Sequence, residues 1–198
     1  MKTVNGLLLA AGLGIFCACG NGTGNEDSVD SAKNANDSII KSQDSSGAVS
    51  TATPADKTST DFAVEAANGG MMEVAMGKLA QTNAASQRIK DYGAMLVKDH
   101  GEANAKLKEL AKRKDIVLPD SLGSDAQKHV ADLGKKKGKE FDKAYMDMMV
   151  SDHNKDIDKF KKASTDAQDA DLKNFAATTL PTLQKHLDSA KVITGKKD

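Results

Sequence analysis

Four segments of this 198-residue chain carry apolar residues at every third or fourth position, and this spacing most constrains the fold. It places the apolar residues on one face of an α-helix. The segments run approximately over residues 61–82, 86–114, 139–164 and 170–193. Four long amphipathic helices bury their apolar faces best against one another. We therefore predict an all-α four-helix bundle over residues 59–195.

The connection between the second and third predicted helices is long. It covers about 24 residues and contains Pro119, Gly134 and Gly138, which disfavour a continuous helix. A connection of this length can cross the whole bundle or loop back to the end at which it started. The sequence leaves both topologies open.

Each apolar face also carries one residue that can bind a metal ion. These residues are Glu73, His100, His153 and His186, one on each predicted helix. A buried imidazole or carboxylate is costly unless it is paired or bound to a metal. At a rise of about 1.5 Å per residue, the four lie within about two helical turns of one another in depth. Three imidazoles and a carboxylate form a ligand set for a zinc, copper or iron ion, so we predict that they meet and bind one.

Four further carboxylates lie near these positions: Asp99, Asp152, Asp156 and Glu65. Asp99 and Asp152 each precede a histidine and point about 100° away from it around the helix. We therefore expect each of them to contact a histidine of a neighbouring helix, since a metal-bound histidine usually donates its second N–H to a carboxylate. Asp156 shares a helix face with His153, and Glu65 lies two turns before Glu73. Both are candidates for an additional ligand.

A metal-free arrangement is the alternative explanation for the same residues. His100 could pair with Asp152, and His153 with Asp99, in a buried polar network that fixes how the helices align. The fourth histidine, His129, lies outside the apolar faces and is expected at the surface.

The first 18 residues have the pattern of a lipoprotein signal peptide. Lys2 is followed by a short apolar run from Leu7 to Phe16, which is too short to span a membrane as a helix. The run ends in Cys17-Ala18-Cys19-Gly20, which resembles a bacterial lipobox with Cys19 as the lipidated residue. Lipid on Cys19 would anchor the chain to a membrane surface. We expect an exported protein in the bacterial cell envelope, at the outer membrane or on the periplasmic side; a plain secretory signal is the alternative.

Residues 19–58 are rich in Ser, Asn, Asp, Thr, Gly and Ala, which predicts a disordered tether. The formal net charge is +0, and no basic block is interleaved with aromatic residues, so nucleic-acid binding is not expected. We find no glycine-rich phosphate loop and no serine nucleophile motif. No catalytic residue is predicted.

Several motifs together resemble a known family. Met95-Leu96-Val97-Lys98-Asp99-His100 is echoed by Met148-Met149-Val150-Ser151-Asp152-His153, and Thr179-Leu180-Pro181-Thr182-Leu183 leads to the third histidine. With residues 141–145, this set resembles bacterial domain-of-unknown-function family 4142, whose members are often described as outer-membrane or exported proteins. The resemblance covers residues 60–195. It implies a ferritin-like four-helix fold and no particular activity.

A di-iron centre of the ferritin type is not expected. Such centres use a histidine three positions after a glutamate on each of two helices, and no histidine here has a glutamate at that position. We expect a non-enzymatic envelope protein with one histidine-rich metal site. The alternatives are a metal-free structural or interaction module, related to envelope stress, and a metal-dependent redox enzyme. The sequence does not identify a protein partner.

Overall fold

The computed structural model describes residues 27–46 and 56–195. This part of the chain is all-α and contains six helices and no strand. The helices are α1 (Ser28–Ser46), α2 (Lys57–Asn83), α3 (Gln87–Arg113), α4 (Ser124–Gly134), α5 (Gly138–Asp166) and α6 (Ala170–Thr194). The long helices α2, α3, α5 and α6 form the bundle, so the predicted fold class is confirmed.

Local chemistry defines the helix ends. Asp56 caps α2, because its side chain accepts a hydrogen bond from the backbone N–H of Ser59. Asp169 caps α6 in the same way, through the N–H groups of Asp171 and Leu172. Gly195 follows α6 with φ +68°, a left-handed conformation that glycine adopts without strain.

The long connection crosses the bundle from one end to the other. Near the start of α2, the backbone N–H of Asp169 donates to Ser59 Oγ at 3.2 Å, so α6 begins at that end. At the opposite end, the N–H groups of Ala85 and Ser86 donate to the Asp142 carboxylate at 2.9 and 3.1 Å, so α5 begins beside the α2–α3 turn. Helix α2 packs against α3 and α5, and α6 packs against α3 and α5. The topology that the sequence left open is therefore a crossing one.

Helix α1 corrects the prediction of a disordered tether. Residues 28–46 are helical, and α1 packs along α2. The Asn36 amide is buried; it donates to the carbonyl of Val117 at 2.9 Å and accepts from its N–H at 2.8 Å. Lys33 also pairs with Glu65 of α2 at 3.0 Å. These partners are distant in sequence, so composition alone could not reveal the order that they impose.

The remaining N-terminal predictions lie outside the described residues. These are the signal peptide at 1–18, Cys19, and the tether segments 19–26 and 47–55. Among the described helices, none combines the length and the apolar character needed to span a membrane.

The core consists of two apolar clusters with a polar layer between them. The upper cluster, near the α2–α3 turn, includes Leu96, Phe141, Tyr145 and Met149. The lower cluster includes Leu107, Ile157, Phe160, Leu172, Phe175 and Leu183. Full burial of one such side chain contributes about 1.5–3 kcal/mol, so these clusters provide most of the driving force that holds the four helices together. The polar layer contains Glu73, His100, His153 and His186.

Candidate metal centre

The four bundle helices each place one polar side chain in the layer between the apolar clusters. Glu73, His153 and His186 are completely buried, and His100 is 7% exposed. One ring nitrogen from each of the three histidines lies within 4.8 Å of those from the other two. The ring centroids are separated by 5.1–5.8 Å. The side chains that the helical spacing singled out do converge.

Glu73 lies against two of the histidines. One of its carboxylate oxygens, Oε2, is in ionic contact with His100 Nε2. The other oxygen, Oε1, lies 3.2 Å from His153 Nδ1. The carboxylate therefore adds negative charge beside the imidazoles.

A hydrogen bond from one ring nitrogen fixes the orientation of two of the three imidazoles. His153 Nδ1 donates to the carbonyl oxygen of Met149 at 2.9 Å. His186 Nε2 lies 3.0 Å from Asp99 Oδ2 and donates to it, since an ionised carboxylate only accepts. Metal-bound histidines are usually held in this way by a carbonyl or a carboxylate. In a neutral ring that donates in this way, the other nitrogen carries no hydrogen atom and its lone pair is available.

The nitrogens left free are buried and have no hydrogen-bond partner. Within the described residues, His153 Nε2 and His186 Nδ1 have no hydrogen-bond partner, whereas His100 Nε2 and the oxygens of Glu73 lie in the ion pairs described above. A buried polar group without a partner costs about 1–3 kcal/mol. Two such nitrogens beside the Glu73–His100 ion pair form a donor set that a transition-metal ion would satisfy.

Burial and mutual charge determine the ionisation of this layer. Burial by itself would raise the pKa of Glu73, but His100 and His153 outweigh it and lower the pKa to about 2. Burial also disfavours charge on His100, yet Glu73 raises the pKa of that imidazole. Burial lowers the pKa of His186 to about 4, against the opposing effect of Asp99. The resting layer therefore pairs an ionised Glu73 with His100 and keeps His186 neutral near pH 7, ready to bind a metal ion.

The carboxylates next to the histidines have different partners from those expected. Asp99 contacts a histidine of a neighbouring helix, but that histidine is His186 and not His153. Asp152 forms an ion pair with Lys155 of its own helix at 3.6 Å and, among the residues that the structure describes, contacts no histidine. The proposed metal-free pairings of His100 with Asp152 and of His153 with Asp99 are therefore wrong.

The two candidate additional ligands differ from each other. Glu65 forms ion pairs with Lys33 at 3.0 Å and with Lys159 at 3.4 Å, so its charge is already neutralised by two cations. Asp156 has no hydrogen bond or ion pair within the described part of the chain. Burial, followed by the negative charge of Glu73, raises the pKa of Asp156 to about 7.

Close packing of α2 and α3 allows Glu73 to reach His100. A Cβ atom at Gly77 would lie 2.7 Å from the carbonyl oxygen of Gly93, and one at Gly93 would lie 2.6 Å from the Cβ of Ala80. Larger side chains would force the helices apart one turn from Glu73. These glycines therefore control the width of the centre.

Two tyrosines adjoin the centre and were not singled out from the sequence. Tyr92 donates its hydroxyl hydrogen to the backbone carbonyl of His186 at 3.2 Å, which ties α3 to α6. The Tyr145 hydroxyl is buried without a partner in the described structure. Each tyrosine precedes a histidine of its own helix by eight residues, as the numbering of His100 and His153 shows. This extension of the repeated motif was the signal that could have identified them.

Comparisons with known proteins agree with the fold and name no activity. A family model with the description "Domain of unknown function (DUF4142)" matches residues 44–193. The chain is also similar to the crystal structure of a DUF305 fragment from Deinococcus radiodurans, with a TM-score of 0.64 and 12% sequence identity. That similarity covers 73% of this chain and 100% of the other, and at this identity it concerns the fold alone. No curated protein matches the sequence.

Proposed function

Because the chain belongs to the DUF4142 family, whose description names no activity, we propose its function from the site itself: it is a metal-binding helical bundle. A transition-metal ion would be held by His100, His153 and His186, with Glu73 beside them as a fourth ligand. We further propose that the bundle is anchored in the bacterial cell envelope through lipid on Cys19.

The single observation that carries metal binding is the arrangement of the ring nitrogens. Two histidines have one nitrogen engaged, by Met149 and by Asp99, and their other nitrogens are buried without a partner. A polar network that served packing alone would satisfy both nitrogens of each ring, because an unpaired buried polar group is costly. The unpaired nitrogens support an ion as the missing partner.

The donor set limits which ions fit. Imidazole suits zinc, copper and iron, whereas magnesium and calcium prefer oxygen ligands. Zinc–nitrogen bonds are about 2.0–2.1 Å long, so ligand nitrogens around one ion approach more closely than the present spread of up to 4.8 Å. Ion binding would therefore draw the three rings together, and Glu73 would balance part of the positive charge.

Metal loading tests the proposal directly. The full chain is incubated with Zn²⁺, Cu²⁺ or Fe²⁺ in turn, separated from free metal, and measured by elemental analysis. We expect about one ion per chain. The double variant His100→Ala/His153→Ala should retain none, and His129→Ala, which alters an exposed histidine on α4, should load like the wild type. Equal loading of the double variant would refute the site.

Anchoring is tested separately by lipid labelling. The support is the pattern of residues 1–20, in which a short apolar run is followed by Cys17-Ala18-Cys19-Gly20. Cells that express the chain are fed a labelled fatty acid, and the protein is recovered from the membrane fraction. We expect Cys19→Ser to lose the label and Cys17→Ser to keep it. Label on the Cys19→Ser variant would contradict the assignment.

The contacts Glu73–His100 and Asp99–His186 favour a second function, in which a metal-free polar core serves a structural or interaction module of the envelope. The two proposals differ in their response to free metal. An ion that binds only the folded state raises the melting temperature as its free concentration increases. A metal-free module predicts the same melting temperature with chelator and with added metal.

A further inference from the structure

A cavity inside the bundle, lined by all four long helices, lies beside a pocket at the α2–α5 face. The inner cavity, lined by His100, Asn104 and Leu107 among others, has a volume of about 20 Å³, enough for one water molecule. The outer pocket, lined by Asn68, Met72 and others, has a volume of about 150 Å³ and reaches the surface. The inner cavity thus adjoins the polar layer, and the outer pocket adjoins solvent.

Asp156 lines both cavities and stands at their junction. Two other carboxylates of the outer pocket are neutralised, Asp152 by Lys155 and Glu65 by lysines on two sides. Asp156 is mostly buried and, within residues 27–46 and 56–195, forms no ion pair; Lys159, which pairs with Glu65, attracts it only at longer range. A buried carboxylate is costly without a partner, so this position is suited to a cation that arrives from outside.

Gly69 lines both cavities as well, and it leaves the junction open. A Cβ atom at this position would lie 3.8 Å from Asp156 Oδ2, with no other neighbour within 4 Å. Alanine would therefore fit, whereas a longer side chain would extend into the space beside the carboxylate. Gly69 lies four residues, about one helical turn, before Glu73.

We propose that this junction is the route by which a divalent transition-metal cation reaches the centre, with Asp156 as a transient ligand on the way. The inference rests on the proposed metal-binding function and adds the uptake path. A carboxylate oxygen holds such an ion less selectively than imidazole nitrogens do, so the ion passes on to His100 and its partners. Helix α1 frames the outer pocket through Val29, and its Lys33 holds Glu65 at the rim.

A third pocket, of about 210 Å³, lies between α3 and α6 and is lined by His100 and His186 among others. There the Nε2 atom of His186 is already engaged by Asp99, so this side offers an ion no free ring nitrogen of that histidine. The unpartnered nitrogens are buried inside the layer. The α2–α5 face is therefore the better route, and the α3–α6 pocket provides a control.

Uptake kinetics distinguish a transient ligand from a resident one. The full chain, purified in detergent, is mixed rapidly with Co²⁺, and binding is followed by the visible absorption of the bound ion. Competition with a chelator gives the equilibrium affinity. We expect Asp156→Asn and Gly69→Leu to slow uptake and release about tenfold, the lower end of effects from local charge, at unchanged affinity. Asp158→Asn, an exposed site on the same helix, and Thr182→Leu in the α3–α6 pocket should behave like the wild type.

The other outcomes separate this inference from the proposed function. A wild-type chain that binds no Co²⁺ refutes both. If the wild type loads and Asp156→Asn loads equally fast, only the route is wrong. If Asp156→Asn binds Co²⁺ more weakly at an unchanged uptake rate, Asp156 is a resident ligand and the proposed route is wrong. The route is also wrong if Thr182→Leu is the only variant that takes up Co²⁺ more slowly. Should Gly69→Leu not fold, the Asp156→Asn result decides.

Discussion

The apolar clusters and the polar layer between them are built on the same four helices but contribute differently to stability. In the upper cluster, Phe141 and Leu96 are completely buried among other apolar side chains. In the layer, His153 and His186 are as deeply buried, yet each carries a ring nitrogen without a hydrogen-bond partner. The clusters gain free energy from burial, and the layer costs free energy. Under the proposed function, the layer is kept for binding a metal ion and the clusters for folding.

The largest effect on stability is expected for a substitution in one of the apolar clusters. Phe141→Ala removes a completely buried ring that stacks on Tyr145, and should lower the free energy of unfolding by about 3–5 kcal/mol. Urea denaturation measures the change. A loss below about 1 kcal/mol would mean that this cluster is not a packed core.

The next effect concerns the affinity of the layer for metal. Asp99→Asn removes the charged acceptor that holds His186 Nε2, and should weaken metal binding by about 10–100-fold. Competition with a chelator measures the affinity. Asp91→Asn, eight residues earlier on α3, is the matched control and should have no effect on the affinity. An unchanged affinity for Asp99→Asn would show that His186 is not a ligand.

The third prediction is a core substitution that stabilises the metal-free protein, whereas most core substitutions destabilise a protein. In Glu73→Leu/His100→Leu, apolar side chains replace a buried ion pair, and we expect the metal-free protein to become more stable by about 1–2 kcal/mol. Metal binding should be lost at the same time. Thermal unfolding with chelator and with added metal measures both effects. A strongly destabilised variant would instead assign the layer a structural role.

The smallest effect is expected at the docked N-terminal helix. Asn36→Ala removes two hydrogen bonds to the backbone of Val117 and should lower the free energy of unfolding by about 1 kcal/mol. Ser38→Ala is the comparison variant, because Ser38 is exposed on the same helix and its hydroxyl donates to the carbonyl of Asn34 within that helix. Hydrogen exchange of α1 should increase in the first variant more than in the second. Equal exchange would show that the Asn36 contact does not hold α1 in place.

The bundle and its polar layer could be predicted from the sequence because both depend on local periodicity. The spacing of His100 from Leu96 and of His153 from Met149 is a property of one helix at a time. Four such helices must bury these faces together. The convergence of the three histidines therefore followed from spacing alone.

Features that depend on contacts between distant segments could not be predicted from local spacing. The pairing of Asp99 with His186 requires α3 and α6 to be neighbours, which the crossing connection decides. The order of α1 depends on the contact of Asn36 with Val117, 81 positions away. The unpartnered state of Asp156 depends on which lysines the surrounding carboxylates engage. None of these is encoded in local spacing or composition.

The central claim is that three imidazoles from three helices bind one ion. The most direct test is a crystal structure of the zinc-loaded protein, with anomalous scattering measured on both sides of the zinc absorption edge. We predict one strong anomalous peak at the middle of the bundle, bonded to His100, His153 and His186. A loaded crystal with no peak in the polar layer, or with peaks only at surface carboxylates, would contradict the account.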